Sequence, residues 1–127
     1  MAQKAIIYGD ARGGSIKGGE VTLSQSGPAQ TISTGLQTIK RFTISRRYGS
    51  DSAASATCSI YDADQTTSMY TQVGYNGSSA IGGNTNLNTT LDAARFVKIN
   101  SVSGGEVSVT PPTGGAGYSG VFMWSAE

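Results

Sequence analysis

Apolar and polar residues alternate most clearly in the last third of the chain. Val97 and Ile99 alternate with Phe96, Lys98 and Asn100, and Val107 and Val109 alternate with Glu106, Ser108 and Thr110. Two period-2 runs on either side of Ser103-Gly104-Gly105 predict a β-hairpin. Pro111-Pro112 and a Gly-rich stretch interrupt the pattern, and a final run, Tyr118 to Glu127, carries Phe122, Met123 and the single tryptophan, Trp124. Leaving a large apolar side chain in water forfeits about 1.5–3 kcal/mol. The final run is therefore expected to be a strand built into the core.

The earlier part of the chain carries the same period in shorter pieces. Val21 and Leu23 mark a first strand over Glu20–Ser24, and Gly27-Pro28 a turn. Gln30–Ser33 is a second short run. Phe42 and Ile44 share a face, and Leu36 joins it if the period holds. Ile39 falls on the other face, which a bulge near Lys40 would reconcile, unless Ile39 packs under a second layer. Ala56, Cys58 and Ile60 are in register over Ser55–Asp62, and Met69, Thr71 and Val73 over Met69–Tyr75. The Asn/Gly/Ser-rich stretch from Asn76 to Asn88 reads as a long exposed loop, and Thr89–Ala94 as the one place for a helical turn. About eight strands joined by turns predict a single antiparallel β-sandwich, with a jelly roll as one candidate topology.

Residues 1–19 differ from the rest. Ala5-Ile6-Ile7-Tyr8 is followed by five glycines in Gly9–Gly19, a stretch that cannot bury a core of its own. The domain organisation expected is an extended Gly-rich N-terminal arm over 1–19 and a β-sandwich over 20–127. A flexible leader is the plainer reading of this segment; in the sharper one, Ile6, Ile7 and Tyr8 are the candidates for docking the arm onto a neighbouring subunit.

Composition narrows the function classes. Charged residues are 13% of the 127, against roughly 25% in typical soluble domains. Glycine supplies 18 residues, with many Ser, Thr and Asn beside it, a mixture that suits short strands and turns better than helices. The formal net charge of +1 gives no global attraction to nucleic acid or anionic lipid, and neither is expected as a partner. No run approaches the roughly 18 apolar residues of a membrane helix. The N-terminal apolar run is too short for a secretory signal, so folding in a cytoplasm is expected. A single cysteine, Cys58, excludes an internal disulfide framework.

Candidate chemistry is sparse. The chain has no histidine, which removes His-based triads and His metal sites. Asp62 and Asp64 could share an ion in a loop, but the Gly and distant Glu of a calcium loop are missing. Solvated carboxylates in a turn are the plainer reading. Lys40, Arg41, Arg46 and Arg47 concentrate positive charge in one segment, and Arg46 and Arg47 are the candidates for meeting an acidic partner surface. The glycine pairs do not match a phosphate loop. Tyr61, Tyr70 and Tyr75 could stack on a sugar, or could simply be strand residues. No catalytic set, cofactor or metal is expected.

Gly35–Phe42, Ser59–Tyr70, Val102–Pro112 and the ending Phe122–Glu127 resemble the small virion proteins of tailed bacteriophages, over roughly residues 35–127. The resemblance implies a β-sandwich, commonly trimeric, serving as a capsid decoration or tail appendage. Its implied partners are copies of itself and the major capsid protein or another virion protein, and its implied location is the virion, after assembly in a bacterial cytoplasm. The expected function is non-enzymatic stabilisation of the capsid shell. The alternative is a tail-tip receptor- or glycan-binding module that uses Tyr61, Tyr70 or Tyr75 with the 76–88 loop.

Overall fold

The computed structural model describes residues 4–9, 15–46, 56–63, 69–76, 79–86, 93–114 and 119–127. Ten strands run through them: β1 (Lys4–Gly9), β2 (Ser15–Leu23), β3 (Gln30–Ser33), β4 (Arg41–Arg46), β5 (Ala56–Asp62), β6 (Met69–Asn76), β7 (Ser79–Asn86), β8 (Lys98–Ser103), β9 (Glu106–Thr110) and β10 (Gly120–Ala126). They form two antiparallel sheets, one in the order β1-β2-β10-β4-β5-β6-β7 and one in the order β3-β9-β8. The chain is an all-β sandwich, and no helix occurs among the described residues. Pairing of β2 with β10 and of β3 with β9 nests early strands against late ones, as in a jelly roll. The middle departs from that plan, because β4 to β7 run as a meander within the larger sheet.

The core follows from the alternation of β10. Phe122, Trp124 and Ala126 are buried, while Met123 between them is exposed. Register sets Phe122 beside Val21, and Trp124 and Ala126 beside Ile44 and Phe42. Ile32, Ile99, Val107 and Val109 close the core from the smaller sheet. The rings of Phe42 and Trp124 stack with centroids 6.2 Å apart.

The hairpin of β8 and β9 turns at Gly104-Gly105, with Ser103 opposite Glu106. Gly104 has φ +58°, a left-handed value that glycine adopts without cost. Gly105 is needed for a different reason. A Cβ there would collide with the Leu36 carbonyl oxygen. The close approach is held by fully buried Thr34, whose backbone N–H and hydroxyl both donate to the Gly105 carbonyl, at 2.9 and 2.7 Å. The Leu36 N–H donates back to the Thr34 hydroxyl at 3.2 Å. This knot fixes the segment that crosses from β3 to β4.

Four expectations change. Leu36 and Ile39 reach the core from the crossing segment before β4 begins at Arg41, so no bulge near Lys40 is needed. A bulge occurs instead in β8, between Ile99 and Ser101. Asn100 is its extra residue, and its amide donates to the hydroxyls of Ser108 and Thr110 at 3.2 and 2.8 Å. Most of the expected 76–88 loop is strand β7, paired with β6 from Met69↔Asn86 to Asn76↔Ser79. A polar segment can form a strand at the end of a sheet because ladder pairing satisfies its backbone whatever its side chains are. Finally, β2 starts at Ser15 and crosses the expected arm boundary at 19/20, and β1 pairs with it from Lys4↔Glu20 to Gly9↔Ser15. Of the expected helical turn, residues 93–95 form a turn, and 89–92 lie outside the described residues.

These contacts set an order of mutational cost. Gly105→Ala is expected to destabilise by about 3 kcal/mol or more, because the new methyl meets backbone that is held in place. Gly104→Ala should cost about 1–2 kcal/mol, the left-handed penalty alone. Urea unfolding of the two variants checks the order, and equal losses would contradict the close approach.

Ser59 supplies the second link. Its hydroxyl is buried and donates to the Val97 carbonyl at 2.7 Å, joining β5 to the entry of β8. Ser59→Ala leaves that carbonyl without its donor and is expected to cost about 1–3 kcal/mol. The measurement is the shift in urea midpoint at unchanged slope.

Candidate assembly surface

The outer face of the larger sheet is built by residues that alternate with the core set. Register carries it from Glu20 through Met123 and Ser45 to Cys58, and in the next row from Gly18 through Ser125 and Thr43 to Ile60. Thr43 and Ser125 share a hydroxyl–hydroxyl hydrogen bond of 2.7 Å across the β4–β10 pair. Val121, Ser125, Thr43, Ser45, Cys58 and Ile60 are half-buried. Met123 is 45% exposed. Charge on this face includes Glu20, whose Cα partner in β1 is Lys4, and one end of the sheet, where Arg41 meets Asp62 across β4–β5 at 3.5 Å.

The apolar residues of β5 that share a period face away from the core. Ser59 and Tyr61 occupy the core side. Ser59 sits there because it bonds the Val97 carbonyl, and Tyr61 packs against the core cluster. The apolar members of the strand are thereby presented on the outside. In the sequence the period of Ala56, Cys58 and Ile60 puts them on one face of the strand but does not say which face that is.

The candidate residues fall in different places. Ile6, Ile7 and Tyr8 lie in β1, opposite Gly18, Lys17 and Ile16 of the same chain. Arg46 is the Cα partner of Phe122 in β10, and Arg47 lies outside the described residues. Tyr61 is opposite Tyr70, whereas Tyr75 is opposite Ala56, five positions further along β6 and so about 17 Å away at strand rise. Register does not gather the three tyrosines. Asp62 pairs with Arg41, and Asp64 lies outside the described residues. No cluster of three or more metal-ligating residues occurs among the described residues, and no helix of theirs is long and apolar enough to cross a membrane.

No family model, curated protein or solved structure matches the chain.

Burial pushes the Cys58 thiol above its ordinary pKa. The neutral thiol is therefore favoured in the fold, and labelling by a thiol reagent at neutral pH should be slow until the protein is unfolded. The unfolded chain loses this proton at lower pH than the native one. Stability should thus hold below the ordinary thiol pKa and fall as pH rises above it. Urea midpoints across the alkaline range, compared with Cys58→Ser, check this, and an identical pH slope in the variant would refute it.

Proposed function

We propose that the chain is a non-enzymatic structural protein of a tailed-bacteriophage virion, a capsid decoration protein that stabilises the shell through contacts with copies of itself and with the major capsid protein. The observation that carries the assembly part of this reading is the outward pattern of β5. The outer side of a strand is expected to be polar, yet half-buried Cys58 and Ile60 stand on the same sheet face as Val121 and exposed Met123, with Thr43 and Ser45 of β4 between them. A sheet face with few charges and apolar residues on both β10 and β5 suits a protein contact, whose core is typically depleted in charge. The resemblance of residues 35–127 to small phage virion proteins supplies the setting.

Immunogold labelling of purified virions with an antibody to this protein is the test. Gold over the head is the expected result. Gold at the tail end would replace decoration with receptor binding. Absence from both intact and disrupted particles would overturn the virion reading.

A further inference from the structure

The two sheets have four ends, and three of them are blunted. β3 is only four residues long. β8 carries Lys98 and the Asn100 bulge. β7 has Gly82-Gly83 at its centre and asparagines at 84 and 86, residues of low strand propensity. Short length, lysine, bulges and weak strand formers are the devices by which sheet edges avoid pairing with other chains. β1 has none of them over Ala5-Ile6-Ile7-Tyr8. These positions contain no proline and no charge, and the register with β2 is unbroken from Lys4 to Gly9. Among the described residues β1 pairs only with β2, and the ladder groups of its far side have no strand partner among them.

We propose that this edge pairs antiparallel with β1 of a second copy of the chain, joining two seven-stranded sheets across a two-fold axis. Charge sets the direction of the joint. Parallel in-register pairing would set Lys4 against Lys4, which is unfavourable. In antiparallel pairing the two lysines lie at opposite ends of the joint. With a formal net charge of +1, the two copies repel little as they approach. Addition of β1 to the β7 edge of another copy would instead set it against Gly82-Gly83.

The symmetry makes a sharp demand. Opposed residues of an antiparallel pair share a face, so an axis normal to the sheet must pass beside a residue that faces its own copy. Overlap is greatest when that residue is Ile6 or Ile7. With Ile6 on the axis, Lys4 faces Tyr8 of the other copy. With Ile7 on the axis, Lys4 has no β1 partner.

The proposal goes beyond the virion reading and is tested on the purified full chain. Sedimentation over a concentration series gives the mass, and single cysteines at Ala5, Ile6, Ile7 and Tyr8, in a Cys58→Ser background, are oxidised mildly. Circular dichroism of each variant confirms the fold. A dimer is expected, with disulfide cross-linking concentrated at Ile6→Cys or Ile7→Cys. Opposed Cα atoms lie about 4.5–5.5 Å apart, within disulfide reach. A cysteine two positions off the axis lies about 13 Å along the strand from its own copy and should not cross-link. A monomer at all concentrations overturns the proposal, as does a trimer, or a dimer with no central maximum of cross-linking. A trimer would leave the structural-protein reading standing, whereas absence of the protein from virions would leave the two-fold joint untouched.

Discussion

Burial of one side of β10 governs the rest of the molecule. Phe122, Trp124 and Ala126 occupy alternate positions of a strand with neighbours on both sides, and those neighbours bring Val21, Phe42 and Ile44 into the same layer. Each large side chain removed from water contributes about 1.5–3 kcal/mol. A slip of one residue in β10 would exchange Phe122 and Trp124 for Val121, Met123 and Ser125, so burial fixes the register as well as the position. Trp124 brings a cost with its gain. Its indole N–H is buried with no hydrogen-bond partner among the described residues, a loss of about 1–3 kcal/mol. The stack on Phe42 returns about 0.5–1.5 kcal/mol beyond area alone.

Two buried polar side chains close on carbonyls at points where the chain leaves or enters the smaller sheet. Thr34 closes on the Gly105 carbonyl at the crossing from β3 to β4. Ser59 closes on the Val97 carbonyl where the chain enters β8. Both side chains are buried, and each satisfies a carbonyl outside regular ladder pairing. Side-chain hydrogen bonds at such points let connecting segments lie against an apolar core without stranded backbone groups. They also explain why Leu36 and Ile39 can be core residues of a segment that is not a strand.

What the sequence discloses tracks how local the cause is. The 98–110 hairpin and the β10 strand were legible because their period and turn residues lie within a few positions of one another. The β8 bulge was not legible. Ile99 and Val102 both reach the core side although three positions apart, and the amide of Asn100 that spans the step bonds residues eight and ten positions away. The facing of β5 was not legible for the same reason, since the partner that draws Ser59 inward is 38 residues distant. β7 lacks apolar alternation, and its ladder with β6 is what makes it a strand. Of the assembly surface, the apolar residues were visible but their side was not. The all-β class was carried by composition and spacing, which do not depend on such distant partners.

The position of β10 also bears on how the molecule is made. It lies between β2 and β4, and its ladder joins residue 17 to residue 126 and residue 23 to residue 120. During synthesis β2 and β4 emerge long before the strand that separates them in the sheet. β4, β5, β6 and β7 can zip as local hairpins on the ribosome, but the layer that contains Trp124 cannot close until residue 126 has left the exit tunnel. Contacts between such distant residues form slowly, because the loop entropy is lost before the pairing compensates. Until then β2 and β4 each present an unpaired side in a crowded cell, and a nascent chain in that condition is a client for chaperones.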